Sequence, residues 1–203
     1  MIKLINNIII GILSIITNAF AVLTLDTSMN FYFSVPAIDT ITPEIEKPWL
    51  ILNFTQIDSY TLLTITSNLT DDEYISSIGL NLNPDIVNYD SIIFENISKV
   101  GIYNEPNITV GNNIYNTIGG NIHDIKIAFS DIKNFRFDNK DVIILKVENS
   151  NIDMFRDDEF KMIARIQGIG EYSRSTWMTT IPESNSMLLI IGSVGIIILL
   201  RKR

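Results

Sequence analysis

The chain has 203 residues, 46% of them hydrophobic, and a formal net charge of −8. This length leaves room for one ordinary domain and two short terminal segments. The acidic balance disfavours binding to nucleic acid, which needs a basic surface, and adsorption to anionic lipid. The sequence has no cysteine and one histidine. Disulfides, thiolate chemistry and a zinc site with several nitrogen or sulfur ligands are therefore excluded.

The first 21 residues have the three parts of a secretory signal peptide. Lys3 supplies the positive start, Ile8 to Ile16 form the apolar run, and Ala19 and Ala21 form an A-x-A cleavage pattern. We expect this signal helix to be removed after Ala21. The alternative is an uncleaved anchor that runs from Ile8 to Leu25.

Residues 22–180 are predicted to form a β-rich domain. Seven short segments are dense in Ile, Val, Thr and aromatic residues, with turn residues between them. They are Trp49 to Thr55, Tyr60 to Thr66, Ile75 to Leu82, Ser91 to Ile97, Asp124 to Phe129, Val142 to Val147 and Phe160 to Ile169. Asp58-Ser59 is a candidate for a tight hairpin turn, and Asn151 to Arg156 for a single helical turn. Strands at this spacing predict an all-β fold with an antiparallel β-sandwich or jelly-roll-like body.

Three long segments of this domain have a weak strand pattern. They are Thr27 to Lys47, Tyr103 to Asn121 and Glu171 to Thr180. The first contains Pro36 and Pro43 and is followed directly by Pro48, and the second contains Pro106 and a Gly-Gly pair. We expect loops or poorly paired strands here. We expect Glu171 to Thr180 to be a linker between the domain and residues 181–203.

The last segment, residues 181–203, has three parts in a fixed order. Pro182 and Glu183 open it, an uncharged run follows, and Arg201, Lys202 and Arg203 close it. The run consists of Met187, Leu188, Leu189, Ile190, Ile191, Gly192, Ser193, Val194, Gly195, Ile196, Ile197, Ile198, Leu199 and Leu200. As a helix it is about 21 Å long, against a hydrocarbon core of about 30 Å. A C-terminal transmembrane helix of this length can still span the membrane, because the terminal Arg and Lys side chains extend to the headgroups. The cations mark its cytoplasmic end, so the domain is expected on the other side.

This C-terminal segment resembles the PEP-CTERM sorting signal of Gram-negative bacteria. That signal joins a Pro-Glu-Pro motif, a short hydrophobic helix and an arginine-rich end, and Ser184 stands here where the motif has its second proline. The resemblance implies an exosortase in the inner membrane as a processing partner. The alternative is a plain tail anchor that is never cut.

The domain itself is similar to a pattern in cyanobacterial PEP-CTERM proteins. The matching stretches are Ile65 to Thr70, Tyr74 to Ser77, Leu80 to Pro84, and Ala164 to Gly170 followed by Trp177. The resemblance implies no enzymatic activity. Our interpretation is an exported, membrane-tethered precursor with a non-enzymatic structural or interaction role. Its destination is the periplasm, the cell surface or the exopolysaccharide matrix, with exopolysaccharide as a possible partner.

Few residues of the domain are candidates for chemistry, and we expect no catalytic residue, cofactor or metal. His123 is interpreted as a loop residue that caps a strand. The acidic clusters Asp71-Asp72-Glu73 and Asp157-Asp158-Glu159 lack the spacing of a calcium loop and are interpreted as charged turns. Loop aromatics could line a sugar-binding face: Tyr103, Tyr115, Tyr172 and Trp177. The alternatives left open are a carbohydrate-acting enzyme, for which the sequence cannot show a carboxylate pair, and a calcium-assisted carbohydrate-binding module.

Overall fold

A computed structural model of the protein describes residues 28–37, 42–43, 48–70, 72–85, 88–117, 120–155 and 162–181. Ten β-strands lie within these ranges. They are β1 (Ser28–Pro36), β2 (Leu50–Ile57), β3 (Tyr60–Ser67), β4 (Tyr74–Leu80), β5 (Ile93–Val100), β6 (Asn107–Asn116), β7 (Ile122–Ala128), β8 (Val142–Glu148), β9 (Ile163–Ile169) and β10 (Arg174–Ile181). Short 3-10 turns occupy Tyr89–Ser91, Lys133–Phe135 and Ile152–Phe155. None of the described residues belongs to a helix of the length and apolarity needed to cross a membrane.

The ten strands form one antiparallel sheet in the order β5-β8-β3-β2-β1-β10-β9-β4-β7-β6. The all-β, antiparallel prediction is therefore confirmed. The strands do not divide into the two packed layers expected for a sandwich or jelly roll. Instead, the single sheet curls into a nearly closed barrel, and its interior takes the place of the space between two layers.

The hairpin of β2 and β3 follows directly from its sequence. Ile57 pairs with Tyr60, so Asp58 and Ser59 form a two-residue loop, as predicted. Asp58 has a φ of 45°, a left-handed conformation that such hairpin turns need and that aspartate tolerates. The strand after the turn alternates, and Leu63 and Ile65 are fully buried. This hairpin fixes the register of one half of the sheet.

One cluster of buried apolar side chains fills the interior of the curled sheet. The alternation of β8 shows how the strands contribute, since Ile143, Leu145 and Val147 are all at most 1% exposed. The turn Ile152–Phe155 covers part of this core, and the Phe155 ring stacks on Phe54 with centroids 4.5 Å apart. The helical turn expected here is confirmed.

The three segments with weak patterns each contain a strand, namely β1, β6 and β10. The structure places β1 and β10 at the centre of the sheet, paired with each other. Phe33 of β1 and Met178 of β10 are fully buried. The expected linker, residues 171–180, is therefore largely a central strand, which extends through Ile181. Burial of these large apolar side chains outweighs the polar residues that obscured the pattern.

The two edges of the sheet, β5 and β6, face each other across a groove of about 530 Å³, which we call the seam groove. Residues from both strands line it. Phe94 of β5 and Ile108 and Val110 of β6 are partly buried and pack against the core. The sheet is therefore curled almost to closure along this one line.

Candidate functional site

The residues expected to direct export and sorting lie outside the described residues. These are Ala19 and Ala21 of the signal, Pro182 and Glu183, the apolar run 187–200, and Arg201, Lys202 and Arg203. Asp71 and the cluster Asp157-Asp158-Glu159 also lie outside the described ranges. The expectations for these segments remain predictions.

The only histidine, His123, is part of β7 instead of a loop, and it is 1% exposed. Its Nε2 lies 3.2 Å from Oγ1 of Thr117, while its buried Nδ1 has no hydrogen-bond partner. Burial lowers the pKa of His123 to about 4, although the Asp124 carboxylate acts to raise it. The imidazole is therefore neutral at pH 7 and enclosed, which is the environment of a packing residue.

Among the described residues, the buried carboxylates of Asp124, Glu73 and Asp141 accept hydrogen bonds from backbone N–H groups. Asp124 accepts hydrogen bonds from the N–H groups of Leu82 at 3.0 Å and Asn113 at 2.9 Å. Glu73, which is 1% exposed, accepts a bond of 3.4 Å from the Thr70 N–H. In the part of the chain that the structure describes, no three acidic or histidine residues are grouped so that they could hold a metal ion.

Two of the four candidate aromatics have separate environments. Tyr103 is 3% exposed, its ring meets Phe137 edge to face, and its hydroxyl donates to the Val142 carbonyl at 2.6 Å. Burial is also the main cause that raises its pKa. Tyr172 is 76% exposed and has Arg174 over its ring. Tyr103 is thus a core residue, and Tyr172 lies on the surface.

The other two aromatics, Tyr115 and Trp177, come together on the outer face of the sheet. Ala164 of β9 and Met178 of β10 are fully buried in the core. Because successive side chains of a strand point to opposite faces, Arg165 and Trp177 point outward, and they are cross-strand partners. The Trp177 and Tyr115 ring centroids are 6.5 Å apart. Side chains of three strands, β6, β9 and β10, therefore meet at one surface.

Two cations complete this surface, which we call the aromatic–cation patch (Tyr115, Trp177, Arg165 and Lys126). The Arg165 guanidinium lies 5.7 Å from the Trp177 ring centroid, and the Lys126 ammonium lies 4.8 Å from that of Tyr115. The Ser77 and Tyr115 hydroxyls are 2.9 Å apart. All four patch residues are partly exposed. Ring faces and charged groups are thus available side by side.

The charge of the patch is not neutralised by the described part of the chain. The ion pairs found there join Lys146 to Glu95 and Glu148, and none involves Arg165 or Lys126. The Nε atom of Arg165 is buried without a hydrogen-bond partner. A buried donor in that state costs roughly 1–3 kcal/mol.

His123 and Gly79 lie beside the patch and shape it. The Tyr115 and His123 rings have centroids 6.3 Å apart, and the two residues are cross-strand partners. A Cβ atom at Gly79 would lie 2.9 Å from the His123 ring. The missing side chain at Gly79 therefore leaves the space that this ring occupies.

The sequence predicts the two aromatics as candidates but not the two cations. The signal for Lys126 is present in β7, where Ile125 and Ile127 mark the inner face and Lys126 the outer one. Arg165 lies within the expected strand Phe160 to Ile169, but a strand pattern does not identify the cross-strand partner. Because residues 171–180 have a weak strand pattern, the pairing of Arg165 with Trp177 is not predictable from the sequence.

Comparisons with protein-family models, with curated proteins and with solved structures gave no match.

Proposed function

We propose that this chain is the precursor of an exported, non-enzymatic binding protein. The signal peptide takes it across the inner membrane, residues 181–203 hold it there facing the periplasm, and an exosortase-type enzyme passes it to the cell surface or the extracellular matrix. The proposal rests on the A-x-A pattern at Ala19 and Ala21 together with the PEP-CTERM-like C-terminal segment.

We propose that the β domain binds a polysaccharide, and the aromatic–cation patch is the observation that carries this. Ligand sites combine aromatic surface with a few placed polar groups, and Trp177 and Tyr115 supply such a surface. Arg165 and Lys126 would pair with carboxylate or sulfate groups of the sugar, since charge-assisted bonds to arginine are strong and directional. In a protein of net charge −8, two cations that have no acidic partner among the described residues are otherwise unexpected.

The binding test uses the full chain in detergent micelles with polygalacturonate as the acidic probe and dextran as the neutral one. We expect polygalacturonate to bind and the variants Trp177→Ala and Arg165→Gln to weaken that binding by roughly tenfold, which corresponds to about 1.4 kcal/mol. Tyr172→Ala is the matched control, because Tyr172 is also an exposed aromatic beside an arginine. Equal binding by all variants would refute the role of the patch.

The alternatives are a calcium-assisted module and a carbohydrate-acting enzyme. The same titration in EDTA distinguishes the calcium-assisted module from our proposal, because binding through Arg165 and Lys126 needs no metal. Analysis of the polygalacturonate for shortened chains distinguishes the carbohydrate-acting enzyme from our proposal. Loss of binding in EDTA, or appearance of shorter chains, would favour the corresponding alternative.

The sorting proposal is tested by the mass of the protein in cells with and without an exosortase. We expect a product that lacks its C-terminal segment only in cells that contain the enzyme. If an identical full-length C terminus is found in both, residues 181–203 are a permanent anchor.

A further inference from the structure

We propose that the seam groove binds an extended segment of a partner protein, which lies between β5 and β6 as an added strand. This site is separate from the aromatic–cation patch, so the proposal does not depend on the polysaccharide function.

The first observation is the state of the two edge strands. Among the described residues, β5 pairs only with β8, and β6 pairs only with β7. The backbone N–H and C=O groups on their other sides therefore lack strand partners. A free edge is a template for an incoming strand, and peptide recognition by strand addition uses such edges. Here two free edges border the same groove.

The second observation is the apolar floor of the groove. Phe94, Ile108, Val110 and Leu145 line it, and the first three are only partly buried although they pack against the core. Alternate side chains of an inserted strand would point onto this floor and exclude water from it. The ligand should therefore carry an apolar side chain at every second position.

The third observation is the charge and the polar groups of the groove. Asp90 and Glu105 line it, and no lysine or arginine is among its described lining residues. Asn96, also in the lining, donates to Glu105 at 3.0 Å, while its own buried Oδ1 has no hydrogen-bond partner. Carboxylates at the rim and an unused acceptor favour a ligand with basic side chains at the positions between the apolar ones.

The length of the ligand follows from the extent of the groove. On β5 the lining runs from Ile93 to Asn96, and on β6 from Ile108 to Val110. At about 3.3 Å per residue this is a stretch of roughly 10–13 Å, which three to four paired residues span, so a hexapeptide also leaves unpaired residues at its ends. We therefore choose a capped hexapeptide of alternating lysine and valine as the probe.

The experiment measures hydrogen exchange of the full chain in detergent micelles with and without this hexapeptide. We expect the amides of residues 93–96 and 108–110 that point into the groove to gain protection and those of the patch strands β9 and β10 to remain unchanged. A hexapeptide of the same sequence that is N-methylated at every residue should not protect them, because it lacks the N–H groups for pairing with either edge. The glutamate–valine hexapeptide should bind at least tenfold more weakly.

Two protein variants locate the site. Asp90→Asn with Glu105→Gln changes exposed residues and should weaken binding roughly threefold to tenfold. Ile108→Arg should block the floor, and Ile132→Arg, at a residue 62% exposed in a loop, is its matched control. Equal binding by the parent and by either groove variant would overturn the proposal.

Hydrogen exchange of the protein without added hexapeptide provides the remaining outcomes. If the β5 and β6 amides that point away from β8 and β7 are already protected in the monomer, the groove is closed by the chain itself and the proposal is wrong. If they are protected only in a concentration-dependent dimer, the occupant is a second copy, and the proposal is likewise wrong. Equal protection by the N-methylated hexapeptide would show that added-strand pairing is not the mode of binding.

Discussion

At the scale of single residues, His123 is held neutral by its surroundings. Its ring is enclosed between Thr117, Tyr115 and the space left by Gly79. Charging the ring would place a cation in a site that is 1% exposed, where the Asp124 carboxylate only partly offsets the loss of hydration. The histidine therefore links the stability of the fold to pH.

We predict that the protein loses stability in mild acid because of His123. Its folded-state pKa of about 4 lies below the ordinary value of 6.5, so between these values the unfolded chain binds the extra proton. The contribution of His123 to the free energy of unfolding should therefore be constant above pH 6.5. It should decrease as the pH is lowered from 6.5. At pH 4.5 the loss should approach about 2.5 kcal/mol.

Urea unfolding at pH 7 and pH 4.5 measures this loss, with His123→Gln as the comparison. The variant should show a pH dependence smaller by most of that amount, because glutamine does not titrate. If parent and variant lose the same free energy between the two pH values, another group is responsible.

At the scale of elements, β10 is the strand whose role differs most from the expectation. It lies between β1 and β9 and contributes the buried Met178 to the core and the outward Trp177 to the patch. We predict that a chain ending at residue 173 does not fold, because it loses two strand ladders at the centre of the sheet. A chain ending at residue 181 keeps both.

Near-ultraviolet circular dichroism and cooperative urea unfolding of the two shortened chains provide the measurement. Both signals should be present in the longer chain and absent in the shorter one. A cooperatively folded chain without residues 174–181 would mean that this segment is dispensable for the domain.

Local signals in the sequence account for the elements that were predicted. The hairpin at Asp58-Ser59 has turn residues between two β-rich runs, and β7 and β8 alternate clearly. β6 is different, because it contains Gly111 and several asparagines and its pairing with β7 shifts between Val110 and Tyr115. Such a strand forms through its neighbours, and single-sequence patterns do not detect it.

The single curled sheet and the patch depend on strand order, which the sequence does not state. β5 and β6 are consecutive in the chain yet lie at opposite edges of the sheet. The sequence offers Trp177 and Tyr115 only as two of four loop aromatics, whereas the structure places them in β10 and β6, and tertiary pairing brings their rings within 6.5 Å. The seam groove has the same origin and had no counterpart in the sequence.

At the scale of the whole molecule, the net charge of −8 is unevenly distributed, because four of the fifteen basic residues lie in the two terminal segments. We predict that changing Arg201, Lys202 and Arg203 to glutamine reduces retention at the inner membrane. Each cation costs roughly 2.5–3.5 kcal/mol to move through the bilayer centre, and this resistance would be lost. C-terminal processing should fall as well.

The amount of precursor in the membrane fraction measures retention. The control is a variant with Lys133, Lys140 and Arg174 changed to glutamine, which removes the same charge from exposed positions of the domain. It should be retained like the parent. Normal retention and processing of the C-terminal variant would mean that the basic end has no role.

The pairing of β1 with β10 also determines the order in which the fold can be completed. The first and last strands of the domain are neighbours at the centre of the sheet, so nearly the whole chain separates them in sequence. Contacts of such high sequence separation form slowly. Until β10 is available, β1 and β9 are open edges, and a partly synthesised chain is exposed to pairing with its own copies. A chain that has emerged as far as residue 173 but not residue 181 therefore has both of these edges open at the same time.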